Sequence, residues 1–64
     1  MTVTKNKKLS GTTIIDIVGS STEIKPIIAC KDYLISSGST YKEKDTDRLY
    51  MYYKETRQWY LLQN

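Results

Sequence analysis

Short stretches of alternating apolar and polar residues run along most of this chain, and clusters of turn residues interrupt them at hairpin-like intervals. The C-terminal part shows the rhythm most clearly. Ser39 to Lys44 predicts a strand anchored by Tyr41, and Asp45-Thr46-Asp47-Arg48 predicts a turn whose aspartates bond nearby N–H groups. Leu49-Tyr50-Met51-Tyr52-Tyr53 follows as a strand with Leu49, Met51 and Tyr53 on one face and Tyr50 and Tyr52 on the other. Lys54 to Gln58 forms a longer hairpin loop, and Trp59-Tyr60-Leu61-Leu62 closes an antiparallel meander.

Thr12 to Val18 is β-branched almost throughout and predicts a strand. Thr13, Ile15 and Ile17 share one face, and Thr12, Ile14, Asp16 and Val18 the other, so both faces are partly apolar. Such a strand is covered on both sides, or on one side by a partner. Gly19 to Thr22 then reads as a turn.

Residues 24–36 have two readings. Ile24, Ile27, Ile28, Leu34 and Ile35 fall roughly on one helical stripe, with Pro26 in a first turn and Ser20 and Glu23 imitating a capping box. The preferred reading is two short β pieces, Ile27 to Cys30 and Tyr33 to Ile35, joined at Lys31-Asp32, because β-branched residues are mediocre helix formers. Residues 1–11 form an extended basic arm ahead of a single small β domain at 12–64. The expected fold is therefore mainly β: a small antiparallel meander or barrel-like sheet of four to five strands, with at most one short helix around 24–36.

Size limits what this domain can do alone. A chain of 64 residues buries only about 60% of the surface its unfolded form exposes, so its stability is marginal. Small domains commonly add disulfides, a metal or an oligomeric contact. Cys30 is the only cysteine and there is no histidine, which excludes an intrachain disulfide and the usual Cys/His zinc site. What remains is tight sheet packing, self-association, or docking into a larger assembly. No apolar run approaches the ~20 residues that span a bilayer. Met1 to Lys5 is not followed by the apolar stretch of a secretory signal, so synthesis in a cytoplasm is expected.

The net charge of +3 comes from ten basic and seven acidic side chains, and Lys5, Lys7 and Lys8 in the arm account for the excess. The arm reads as a solvated terminus; the alternative is contact with nucleic acid or an acidic protein surface. Asp45 and Asp47 read as turn caps, since a hard cation requires more oxygen ligands than this loop offers. Cys30 lacks a histidine base and reads as a small buried apolar residue. The reaction classes that depend on histidine or an activated nucleophile find no support, and no cofactor is expected.

The one constellation that suggests binding is Tyr50, Tyr52, Tyr53, Trp59 and Tyr60 with Arg48, Lys54 and Arg57. Tyr, Trp and Arg concentrate at protein interfaces. The same residues also serve as cross-strand pairs inside a sheet, or as a stacking platform for single-stranded nucleic acid. Tyr50, Tyr52, Trp59, Tyr60, Arg48 and Arg57 are the candidate partner-binding set.

Gly38-Ser39-Thr40-Tyr41, Asp45-Thr46, Leu49-Tyr50-Met51-Tyr52, Thr56 and Trp59-Tyr60, at these intervals, resemble a recurring module of bacteriophage virion proteins. The module runs Gly-Ser-Thr-aromatic, Asp-Thr-Gly, an apolar-Tyr-Met-aromatic strand, and an acidic Thr-containing turn ending in Trp-Tyr. The resemblance covers residues 38–62. The chain departs from it at Asp47, where a turn glycine is common, and at Lys54, where an acidic residue is usual. It implies a non-enzymatic structural component of a capsid, head fibre or tail, held in the virion in many copies by neighbouring proteins or by itself. The competing expectation is a small nucleic-acid-binding β protein that uses the aromatic and basic sheet face.

Overall fold

The computed structural model describes residues 1–64 and contains seven strands and no helix. They are β1 (Thr2–Lys8), β2 (Thr13–Gly19), β3 (Ala29–Cys30), β4 (Tyr33–Leu34), β5 (Thr40–Glu43), β6 (Leu49–Tyr53) and β7 (Gln58–Gln63). Five of them form one sheet in the order β1-β2-β5-β6-β7, and β3 pairs with β4 in a separate two-stranded ribbon.

The mainly β expectation holds, with one difference in topology. β1–β2, β5–β6 and β6–β7 are antiparallel, but β2 and β5 run parallel, with Ile17 beside Tyr41 and Val18 beside Lys42. A parallel pair requires a long crossover, and residues 20–39 supply it. The helical reading of 24–36 is not realised. Ile24 and Ile27, which would have led its apolar stripe, are 89% and 53% exposed. The two short β pieces are present instead, antiparallel across the Lys31-Asp32 turn, with Lys31 at a φ of 57°.

The basic N-terminal stretch is joined to the sheet. Thr2–Lys8 is a sheet edge hydrogen-bonded along β2, with a register shift between Lys5 and Lys7. The sheet is open rather than barrel-like, because β1 and β7 are both edges and do not pair.

The core lies on one side of the sheet. Thr13, Ile15 and Ile17 of β2, Tyr41 of β5 and Tyr52 of β6 point to that side and are buried, joined by Cys30 and Ile35 from the crossover. Val3, Tyr33, Tyr50 and Trp59 pack around them. Full burial of a large apolar side chain contributes about 1.5–3 kcal/mol, so this small cluster is the principal source of stability. Cys30 is a free, buried thiol, as its surroundings in the sequence suggested.

Ser39 extends the β2–β5 seam where the regular ladder stops. Its fully buried hydroxyl accepts the Ile15 N–H at 3.0 Å and donates to the Ser36 carbonyl at 2.9 Å. The Ser36 N–H in turn donates to the Thr13 carbonyl at 2.9 Å. The Gly38-Ser39-Thr40 motif is thus a strand entry whose polar groups are consumed internally.

Candidate interaction surface

Three aromatic side chains, Tyr41 and Tyr52 buried in the core and Trp59 packed against it, use their polar tips to hold the crossover. The Tyr41 hydroxyl donates to the Ser20 carbonyl at 2.9 Å, and the Trp59 indole N–H donates to the Pro26 carbonyl at 2.8 Å. The Tyr52 hydroxyl accepts the Ile28 N–H at 2.9 Å. Irregular backbone has no ladder to satisfy it, so these bonds replace one. Trp59 also stacks at an angle on Tyr52, ring centroids 5.1 Å apart, and edge-on to Tyr41 at 6.0 Å.

This arrangement divides the residues that the sequence had grouped for binding. Tyr52 is 1% exposed and is corrected from a contact residue to a core residue. Tyr50 and Trp59 are half-buried on the same inner side. Arg48 and Arg57 are exposed but lie at opposite ends of β6, in the turns before and after it, and so form no common cluster. A stacking platform requires its rings on one open face, and here they occupy both.

Tyr60 is on the other face, 43% exposed, and its partner there is Tyr53. Their rings meet edge to face at 5.3 Å, and the Tyr60 hydroxyl bonds the Thr56 hydroxyl at 3.0 Å. In the β5–β6–β7 registers Met51 sits between Thr40 and Tyr60, while Leu49 sits between Lys42 and Gln63. Leu49, Met51, Tyr53 and Tyr60 therefore share a patch at the β6–β7 end of the outer face, the two tyrosines exposed and Leu49 and Met51 half-buried. The β1–β2–β5 end of that face is mixed: Ile14 and Val18 flank Asp16, which accepts from the Thr40 hydroxyl at 2.6 Å and from the Asn6 amide at 3.1 Å.

Leu49, Met51 and Tyr53 were already grouped on one strand face by simple alternation. Which face turns outward was not legible, because each carries large apolar side chains. The choice is made by pairing: β6 aligns Tyr50 with Tyr41, and Tyr41 aligns with Ile17, which commits that row to the core.

The arm lysines are also divided. Lys5 lies opposite Ile15 and Lys8 opposite Thr13, but the bulge places Lys7 opposite Ile14 on the outer face. The Lys5 ammonium sits 4.7 Å from the centre of the Tyr33 ring, a contact of the cation–π kind.

A second cation is held more deeply. Lys25 reaches from the crossover to place its ammonium 2.9 Å from a Glu43 carboxylate oxygen, with the Tyr41 and Tyr50 ring centres 4.6 and 4.4 Å away. Hydrogen bonding from the Thr46 hydroxyl, and then from Lys25, holds the Glu43 carboxyl below the usual glutamate range. Burial, followed by the nearby carboxylates of Glu23, Glu43 and Asp45, pushes the Tyr41 phenol up. Lys25 and Thr46 both donate to Glu43, at its two carboxylate oxygens. No cluster of three or more potential ligands is present to hold a metal ion. Comparison with protein-family models, curated proteins and solved structures finds no match to this chain.

Proposed function

We propose that the chain is a non-enzymatic bacteriophage structural protein, a capsid, head-fibre or tail component that acts through protein–protein contacts. The observation that carries this reading is the outer patch of Leu49, Met51, Tyr53 and Tyr60, contiguous on two strands, in which both tyrosines are exposed and Leu49 and Met51 are half-buried. Aromatic and methionine side chains are enriched at interface centres. The resemblance of residues 38–62 to a virion module supplies the biological setting. A small domain with a modest core also gains stability from neighbours that bind only its folded form. Nucleic acid receives less support, because Tyr52 is buried and the arm lysines point to different faces.

The test is to look for the chain in gradient-purified particles of the phage that encodes it, by quantitative mass spectrometry. The expected result is a fixed stoichiometry of many copies per particle, reduced by Met51→Lys and Tyr53→Ser. Particles that lack the chain while it accumulates free in infected cells would overturn the reading.

A further inference from the structure

The two edges of the open sheet are built differently. β1 carries Lys5, Lys7 and Lys8 and a register break within seven residues. Charge and bulges are the usual means of keeping a sheet edge from pairing with another chain. β7 has neither a charged residue nor a proline between Gln58 and Gln63, and Leu61 and Leu62 are 51% and 54% exposed along it. Its one register shift, between Leu49 and Tyr50 of the facing strand, falls at its far end and leaves residues 58–61 regular.

The direction of the free main-chain groups on β7 follows from the ladder. Tyr52 turns both of its groups away from β7: its N–H donates to the Ser39 carbonyl at 2.9 Å and its carbonyl accepts the Gly38 N–H at 3.0 Å. Bonding alternates residue by residue in an antiparallel pair. Met51 and Tyr53 therefore bond to β7 through their partners Tyr60 and Gln58. Trp59 and Leu61 are left with N–H and C=O directed off the edge.

We infer that β7 pairs antiparallel with β7 of a second copy, about a two-fold axis at Tyr60, to make one continuous ten-stranded sheet. In this register Trp59 faces Leu61 of the partner copy and Leu61 faces its Trp59, so every outward group of the regular stretch finds a complement. An axis at Trp59 would stack two indoles and set Arg57 against Leu61. An axis at Leu61 would run the pairing into the register shift. The seam opposes no like charges, whereas the same operation on β1 would bring six lysines together. Because the contact is isologous it closes at two copies, and the lysine-guarded β1 edges terminate the sheet. The two Tyr53–Tyr60 pairs then adjoin on the outer face, which doubles the proposed contact patch. The inference rests on the edge geometry and is independent of the virion assignment.

Two measurements test it together. Light scattering over a concentration series should show the wild-type mass rising to twice that of the chain, and Tyr60→Lys, which opposes two ammonium groups on the axis, should remain monomeric. In a Cys30→Ala background, Tyr60→Cys should form a disulfide dimer spontaneously. Residues directly opposed in a non-bonded antiparallel pair have Cα atoms about 4.5 Å apart, within the roughly 4.4–6.8 Å that a disulfide spans. Thr4→Cys on the opposite edge serves as the control and should stay reduced. A wild-type mass that remains monomeric throughout, or cross-linking of Thr4→Cys as fast as Tyr60→Cys, would overturn the dimer. A monomer still found in particles would leave the virion reading intact.

Discussion

Lys25 places its ammonium 2.9 Å from the Glu43 carboxylate, with the Tyr41 and Tyr50 rings packed against the ammonium. The Glu43 side chain is only 3% exposed, so it depends on its partners rather than on solvent for charge stabilisation. A buried pair broken on one side is costly because the remaining charge stands uncompensated.

Lys25→Met retains most of the stem's contact with the rings and removes the charge. The melting temperature at pH 7 should drop by several degrees, and thermal melts followed by circular dichroism would measure it. The acid limb should change as well. Glu43 titrates below its ordinary value of 4.5 when folded, so its contribution is present above that pH and is lost as pH falls through the lower folded value. Glu23 and Asp45 are displaced in the same direction, chiefly by a Ser20 backbone hydrogen bond and the Ser21 hydroxyl respectively. Stability should therefore decline on acidification below about pH 4.5, and Lys25→Met should flatten that decline. At the alkaline end Tyr41 works with the opposite sign: its raised phenol contributes below 10.0 and loses that contribution as pH climbs beyond it. An acid limb identical in wild type and variant would show that the ion pair is not what titrates.

Ser39→Ala should cost about 1–3 kcal/mol, the penalty for leaving a buried donor unmatched, since its hydroxyl is the acceptor for the Ile15 N–H. Thr22→Ala removes an exposed hydroxyl that bonds Ser20, and a surface change of this kind should stay within about 0.5 kcal/mol. Urea denaturation of both variants, with unchanged m-values, is the comparison. Equal losses would remove Ser39 from its proposed place in the β2–β5 seam.

Gly19→Ala should destabilise by roughly 1–3 kcal/mol, as overpacking of a filled core does. A Cβ there would collide with the Tyr41 hydroxyl and lie 3.0 Å from the ring carbon that bears it. Tyr41 is fully buried and tied to the Ser20 carbonyl, so it has little freedom to yield. Tyr41→Phe alone loses that hydrogen bond, but in combination it opens room for the new methyl group. The double variant should consequently be more stable than the sum of the two losses implies, which a double-mutant cycle would detect.

Asp47→Gly should be neutral to stabilising, by up to about 1 kcal/mol, because a left-handed turn residue with a Cβ is strained. Asp47 has a φ of 65°, and its exposed ion pair with Lys42 at 3.3 Å is of a kind worth little. A lower melting temperature for the variant would mean that the carboxylate holds the turn more firmly than its exposure indicates.

Local patterning in the sequence determined where most strands form; Thr2–Lys8, with little apolar pattern of its own, is a strand through its pairing with β2. Leu49–Tyr53 is a strand over the residues that alternation assigns to it, the Lys31-Asp32 turn joins two short β pieces, and Asp47 occupies the left-handed position where a glycine is common. These features depend on neighbours a few residues apart, whose side-chain volume and backbone preference act whatever the rest of the chain does. Tertiary structure alone decided three others: that β5 lies parallel to β2, that Tyr50 and Tyr52 face inward while Met51 and Tyr53 face outward, and that Lys25 enters a cage of Tyr41, Tyr50 and Glu43. The β2–β5 seam joins residues 24 apart in sequence and the Lys25–Glu43 pair residues 18 apart, and the inward row of β6 is fixed only once β5 has docked on β2. Such closure depends on which apolar faces can be buried together, and two equally apolar faces of one strand carry no local mark of which will be chosen.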